Sequence, residues 1–503
     1  MKKLFKALAV LSSFSVLTRA LGFVFRIFLS RLVGAEGLGV YQIAFSVFMV
    51  FETFISSGLP LAVSKKTSAL ISKGKSKVVP KMVTTALVVG VGTSILLCLV
   101  VFVLRGLFST LFTDARCIAI LLVLMPTLVF SSVYCVLRGA LWGQKKYFFV
   151  SLTEFVEQVV RVIVAVVFLA GLSFSLEKVF LASISYVISC IASSLLVVLI
   201  YFKTGGRMLS PNKDEAKSLI KSSVPITLVR VVSSLLTPLI SIIIPFKLVG
   251  IGFSNDQALA MLGVAMGMTF PLLYVPSTLI SSLSMTIIPD LSSAVSTQSF
   301  DKIKNQINFS IKFAIFVAFL FVPLYFSLGK PIGMFFYGNI ESGQYLCQSA
   351  MLILPICLSS VTVSCLNALD LETKGFVNYV FGAIFLIVCI LFLTNFFGVM
   401  SLAIGMFACL GVASVLNIIM LGKKLGESFF NLKYLFCAIV CSLPCALMSK
   451  WTFNILSSKL SLFASLALSS IVGALFYAIF GLVFNLFSLS FLNQKKEKQL
   501  ATK

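Results

Sequence analysis

Apolar residues run through this chain in blocks of about twenty, parted by short polar and basic stretches. The blocks fall near 12–34, 39–63, 82–104, 117–141, 150–171, 178–202, 222–246, 258–288, 308–328, 347–369, 377–396, 399–421, 433–449 and 461–487. Each is long enough for a helix to cross roughly 30 Å of hydrocarbon, several with length to spare for tilt. The pattern predicts an all-α integral membrane fold with fourteen transmembrane helices. The opening MKKLFKALAVLSSFS has the basic start and short apolar core of a secretory signal. Its apolar run continues through Leu32 with no small-residue cleavage site, so it is expected to stay as the first membrane helix.

Composition agrees: 59% of the 503 residues are hydrophobic, 11% are charged, and the mean hydropathy is +1.10. A net charge of +24 would suit nucleic acid if it formed one patch. The basic residues instead occupy short loops between apolar blocks, which is how orientation in a membrane is written. With the N-terminus in the cytoplasm, alternate loops place 28 of the 40 Lys and Arg on the cytoplasmic side. Eight fall outside (Arg31, Arg105, Arg116, Lys178, Lys247, Lys330, Lys450, Lys459), and Arg19, Arg26, Arg161 and Arg230 sit within spans. That bias predicts an even helix number with both termini cytoplasmic. The twelve cysteines lie mostly in apolar blocks without paired spacing, and there is no His. Neither a disulfide framework, a metal site, a cofactor nor a catalytic constellation is expected.

An internal repeat is visible. SSFSVLTR (12–19) is echoed by SSVPITLVR (222–230), SRLVG (30–34) by FKLVG (246–250), and MPTLVFSSV (125–133) by LPICLSSV (354–361). Helices 1–6 and 7–12 therefore read as two copies, and six being even makes the repeat parallel. The expected organisation is an N-terminal lobe at 1–203, a cytoplasmic linker at 204–221 and a C-terminal lobe at 222–424. Helices 13 and 14 with a basic tail follow at 425–503. The two six-helix lobes would surround a central cavity.

Charge inside the apolar blocks carries the candidate chemistry, because an ionised side chain at the bilayer centre costs about 2.5–3.5 kcal/mol on insertion scales and usually faces a cavity. Arg19 and Arg26 are two turns apart on one helix face, and Arg31 follows about 140° round from Arg26. Arg230 takes in helix 7 the place of Arg19 in helix 1, with Lys247 matching Arg31. A cationic set of this kind predicts an anionic ligand. Glu52, among Phe and Met, is a candidate for ion coupling or gating. Glu157 and Arg161 make an i, i+4 ion pair that lets Arg161 sit in the span, leaving Glu154 free to reach the cavity. RGALWGQKKY (138–147) reads as a basic, aromatic interfacial loop, an anchor or headgroup contact. The outer acids Glu36, Asp114, Glu177, Asp256 and Glu341 are scattered.

At TRALGFVFRIFLSRLVGAEGLGVYQIAF, SSGLPLAVSK, LRGALWGQKK and EFVEQVVRV, the chain resembles the MOP exporter superfamily, in its polysaccharide-transport and stage V sporulation protein B branch. That branch includes MurJ-type lipid II flippases. The resemblance implies a two-lobe exporter fold in a bacterial cell membrane and export of an undecaprenyl-diphosphate-linked sugar. It also implies that basic residues of helix 1 contact the diphosphate. Arg19 matches the first of these, and Arg26 falls one residue later than the second does in proteobacterial members. Helices 13 and 14 would form a groove for the lipid tail.

The residues and the resemblance agree on a lipid-linked glycan diphosphate as substrate. Arg19, Arg26, Arg31 and Arg230 would bind it, and Glu52 and Glu154 would couple or gate. The expected function is a flippase, most directly for lipid II, with another polyprenyl-linked unit or a spore-cortex precursor as alternatives. No Walker A motif is present, so membrane potential or a proton or sodium gradient is the expected energy source. A monomer with membrane lipids around it and no nucleic-acid partner is expected. A MATE-like drug exporter calls for an acidic cavity, a membrane enzyme for a large outer catalytic loop, and a passive scramblase or scaffold stays open.

Overall fold

The computed structural model describes residues 2–171, 177–281, 299–429 and 431–484, with Leu291 and Leu486. The tail lysines and the end of the eighth apolar block lie outside the described residues. Among the described residues there is no strand. Eleven helices are long and apolar enough to cross a membrane, or twelve if a pair bent by 42° at 125–126 counts as one. This is a multi-pass helical membrane protein.

Two compact units divide the chain, Met1–Gly267 and Met268–Lys503. The first contains α1 (Lys2–Ser56), α2 (Gly58–Ser72), α3 (Val79–Val103), α4 (Arg105–Ser109), α5 (Ala115–Leu124), α6 (Thr127–Gly143), α7 (Tyr147–Val166), α8 (Lys178–Lys203), α9 (Lys213–Ser234), α10 (Leu236–Gly250) and α11 (Asn255–Leu262). The main helices of the second are Phe300–Tyr337, Ile353–Ala368, Glu372–Phe397, Met400–Leu425, Leu432–Leu456 and Leu462–Val483. Where the apolar pattern predicts a loop between the first two blocks, α1 runs on and breaks only at Gly34. Its φ of 79° and ψ of 177° form a backbone state open to glycine and costly for other residues.

Which faces meet lipid is plain from the side chains. α3 turns Leu96, Leu99, Phe102 and Val103 outward, and the helix Glu372–Phe397 turns Phe381, Phe392 and Phe396 outward. Lipid tails are as apolar as leucine, so close packing and polar contacts, more than hydrophobicity, hold such helices together. In the first unit Leu59, Met82, Leu137, Leu141 and Tyr201 from α2, α3, α6 and α8 make one buried cluster.

The ends of these helices are tied by ions. Arg116 reaches Glu36 at 2.6 Å, Asp114 at 2.7 Å and Glu177 at 3.8 Å. The acids expected to be scattered thus include three that converge on one arginine; spacing of 78 and 63 residues hid it. At other helix ends, Lys66 binds Glu215 (3.2 Å) and Ser218 (2.8 Å), and Lys146 donates to the Thr204 carbonyl (2.9 Å).

Candidate functional site

Three helices of the first unit, α1, α6 and α7, bring titratable groups to its interior. α7 supplies Glu154, Glu157 and Arg161 on one face. The Arg161 guanidinium pairs with Glu157 as the i, i+4 spacing predicts. It also donates to Gln158 Oε1 (3.3 Å) and Ser189 Oγ (3.2 Å) and lies 4.4 Å from the Tyr186 ring centroid. Each of these contacts offsets the cost of holding a cation away from water. Glu52, near the C-terminal end of α1, accepts a hydrogen bond from the Ser131 hydroxyl of α6. Its other oxygen, Oε2, is buried without a hydrogen-bond partner. A buried carboxylate oxygen left in that state is a place for a proton or a small cation.

A second cluster sits where α2, α6 and α9 meet. Arg138 of α6 reaches Glu154 at 2.8 Å and lies 5.9 Å from the Tyr134 ring and 6.0 Å from the Trp142 ring. It opens on a cavity of about 300 Å³ shared with Ser57, Pro60 and Ser64 of the α2 segment, Trp142, and Arg230 of α9. Glycines set this geometry. A Cβ at Gly139 would sit 2.5 Å from the Pro60 carbonyl oxygen, and one at Gly143 2.6 Å from that of Ser64. Only bare backbone lets α6 lie this close to α2.

The expected site residues are distributed as follows. Arg19, Arg26 and Arg31 are exposed on α1, and Arg230 is exposed yet lines the cavity with Arg138. The fold does not bring Arg19 or Arg26 to that cavity. Glu154 is not left over: it is the counter-ion of Arg138. Arg138 enters the sequence reading only as the first member of a basic interfacial loop, an anchor or headgroup contact. In fact 138–143 are the last turns of α6, and only 144–146 lie between helices. The available signal was Gly139 and Gly143, an i, i+4 pair marking a helix-contact face.

In the second unit the buried polar contacts among the described residues are neutral. Asn378 Nδ2 donates to Asn417 Oδ1 at 2.8 Å, and Asn417 Nδ2 to Thr362 Oγ1 at 3.2 Å. An apolar cavity of about 460 Å³ is lined by Ile311, Ile315, Leu358, Phe407, Val415 and Leu435, among others. At the helix ends outside the spans, Asp114 is the clear case of a shifted acid. Burial pushes its carboxyl up, but hydrogen bonds from the Arg116 side chain and backbone outweigh that and hold it below the usual range. No cluster of three or more metal-ligating side chains occurs among the described residues.

Apolar spans that hold ion pairs and a cavity lined by two arginines mark a multi-pass membrane protein with charge in its interior. A family model described as polysaccharide biosynthesis protein matches residues 4–295, and the chain belongs to that family. It is 24% identical over 393 residues to stage V sporulation protein B of Bacillus subtilis (strain 168), covering 75% of each chain. It is 22% identical over 427 residues to the lipid II flippase MurJ of the same organism, covering 76% of each. Among solved structures, lipid II flippase MurJ in an inward closed conformation superposes with a TM-score of 0.75 at 15% identity, over 95% of this chain and 98% of that one. An inward-facing multidrug resistance MATE family transporter of the MOP superfamily gives 0.68 at 15%, over 81% and 94%. The fold is therefore the one that the sequence resemblance implies, shared with a lipid II flippase and with a MATE family transporter of the MOP superfamily.

Proposed function

We propose that the chain is a flippase that carries an undecaprenyl-diphosphate-linked cell-wall precursor, lipid II foremost, from the cytoplasmic to the outer leaflet by alternating access. The observation that carries this reading is the set of arginines in the first unit, Arg19, Arg26, Arg31 and Arg230, on a fold shared with a lipid II flippase. A diphosphate suits guanidinium, whose planar fork bonds two oxygens at once. Similarity to a stage V sporulation protein favours a spore-cortex precursor as the second reading.

A count of fourteen spans is consistent with the helices. Eleven qualify singly and the bent pair α5 and α6 adds one. The 57-residue segment Val16–Ser72, broken at Gly34, is long enough for two. α7 supplies the last, its three ionised side chains having kept it out of a low-charge count. We take both termini as cytoplasmic on the lysine bias, the lobes as 1–203 and 222–424 joined by 204–221, and 425–503 as helices 13 and 14 with the basic tail. We read the protein as a monomer. The apolar cavity reaching Leu435 is our candidate for the lipid tail, and Glu52, with its unpartnered oxygen, for proton or sodium coupling.

The reading is tested by rescue of cells depleted of their lipid II flippase. Wild type restores growth. Arg19→Ala and Arg230→Ala reach the membrane at normal abundance, since removing a charge from a span favours insertion, and fail to rescue. Full rescue by both variants contradicts the arginine site. Failure of wild type to rescue shifts the substrate to another polyprenyl-linked unit.

A further inference from the structure

The two stretches SSGLPLAVS (56–64) and RGALWG (138–143) are 74 or more residues apart in sequence, yet together with Arg230 they line one cavity in the first unit. We propose that this cavity is an oxyanion pocket for a phosphate or diphosphate group, with Arg138 as a recognition residue and Glu154 as the carboxylate that competes with the anion for it. The proposal rests on the flippase reading for its lipid source, and names a site separate from Arg19 and Arg26.

Three observations support it. Two arginines, Arg138 and Arg230, line one cavity of about 300 Å³, the low end of small-ligand pockets and fit for a charged group rather than a whole glycan. Arg138 spends Nη2 on Glu154. Among the described residues no other hydrogen-bond acceptor engages its guanidinium, which leaves an edge of the fork open to a forked oxyanion. Arg230 has no carboxylate partner among the described residues, so the pocket's formal charge is positive even with Glu154 counted. Ser57, only 6% exposed, lines the same cavity and its hydroxyl has no hydrogen-bond partner. A buried hydroxyl without a partner is uncommon, and in a residue of this cavity's wall it is a neutral donor available to an oxyanion.

Glu154 gives the pocket a sign that a merely structural ion pair lacks. A phosphate and the Glu154 carboxylate want the same N–H groups, so each weakens the other. Removing the acid should tighten anion binding, and removing the arginine should loosen it.

The full chain in phosphatidylcholine nanodiscs is titrated with undecaprenyl diphosphate, with undecaprenol as the phosphate-free control, and with inorganic pyrophosphate. Arg138→Gln should weaken undecaprenyl diphosphate binding about tenfold, the loss expected for one charge-assisted contact, and Ser57→Ala about threefold. Glu154→Gln should strengthen it severalfold, while undecaprenol binding stays the same in all. The double variant Arg138→Gln with Glu154→Gln, which leaves no unpaired charge, should bind as weakly as Arg138→Gln and keep the wild-type melting temperature. Tight binding of pyrophosphate with the same residue dependence upholds the pocket and makes the soluble anion its source. Loss of affinity in both Arg138→Gln and Glu154→Gln, or no change in either, overturns it. Leaflet transfer of a polyprenyl-diphosphate glycan by wild type, with unaltered binding by the double variant, sinks the pocket and leaves the flippase. Arg138-dependent pyrophosphate binding without any such transfer does the reverse.

Discussion

The two units solve the problem of polarity in a membrane differently. The first holds its interior with charges: Glu157 with Arg161, Glu154 with Arg138, and Glu52 on Ser131. The second uses neutral amides, Asn378 to Asn417 to Thr362, and its one ion pair among the described residues, Lys304 with Glu427 at 3.5 Å, lies at helix ends. An amide chain binds helices at little cost and has nothing to exchange. An interior ion pair is costly unless matched, and its members can change partner or charge state. The two units thus differ in interior chemistry, and the groups able to change partner or charge state lie in the first.

Breaking the Arg161 pairing is the sharpest way to test that contrast. Arg161→Ala leaves Glu157 half-buried within the span and without its partner, which should cost about 3–5 kcal/mol. Asn417→Ala removes neutral hydrogen bonds and should cost about 1–3 kcal/mol. Melting temperatures of the purified variants in one detergent compare them directly; equal losses would erase the distinction between the units.

Glu52→Gln asks whether interior charge also moves. It keeps shape and the bond to Ser131, so stability should hold while transport in proteoliposomes loses its dependence on a proton or sodium gradient. Unchanged gradient dependence reduces Glu52 to a packing residue.

The smallest effect belongs to the outer ion cluster. Because the Asp114 carboxyl titrates below its ordinary value of 3.8 when folded, its contribution is complete at neutral pH and fades as pH falls through the folded value. Asp114→Asn should therefore lower the melting temperature slightly at pH 7. The gap between variant and wild type should narrow in acid below the ordinary carboxylate range. A gap that widens in acid contradicts the assignment.

Much of the fold was legible because lipid imposes one simple rule, an apolar run of fixed length, and each predicted block has helix in it. What was not legible depends on distance in sequence. Glu36, Asp114 and Glu177 meet at Arg116 only because helix ends are brought together, and no local pattern records it. Arg138 was hidden by its neighbours Lys145 and Lys146, which made a helix end look like a basic loop. Glu157 and Arg161 were foreseen because i, i+4 spacing is local. Arg19, Arg26 and Arg230 were singled out by the cost of charge in a span, by helix face and by the repeat, and none of these says which residues will share a cavity.

On the proposed function, a polyprenyl-diphosphate glycan crosses the bilayer by means of those arginines. The direct measurement is leaflet transfer of a fluorescent lipid II analogue in proteoliposomes holding wild type, Arg19→Ala or Arg230→Ala. The account predicts transfer by wild type and arrest in both variants at equal protein density. Transfer at the wild-type rate by both variants, or none by wild type under any imposed gradient, would contradict it.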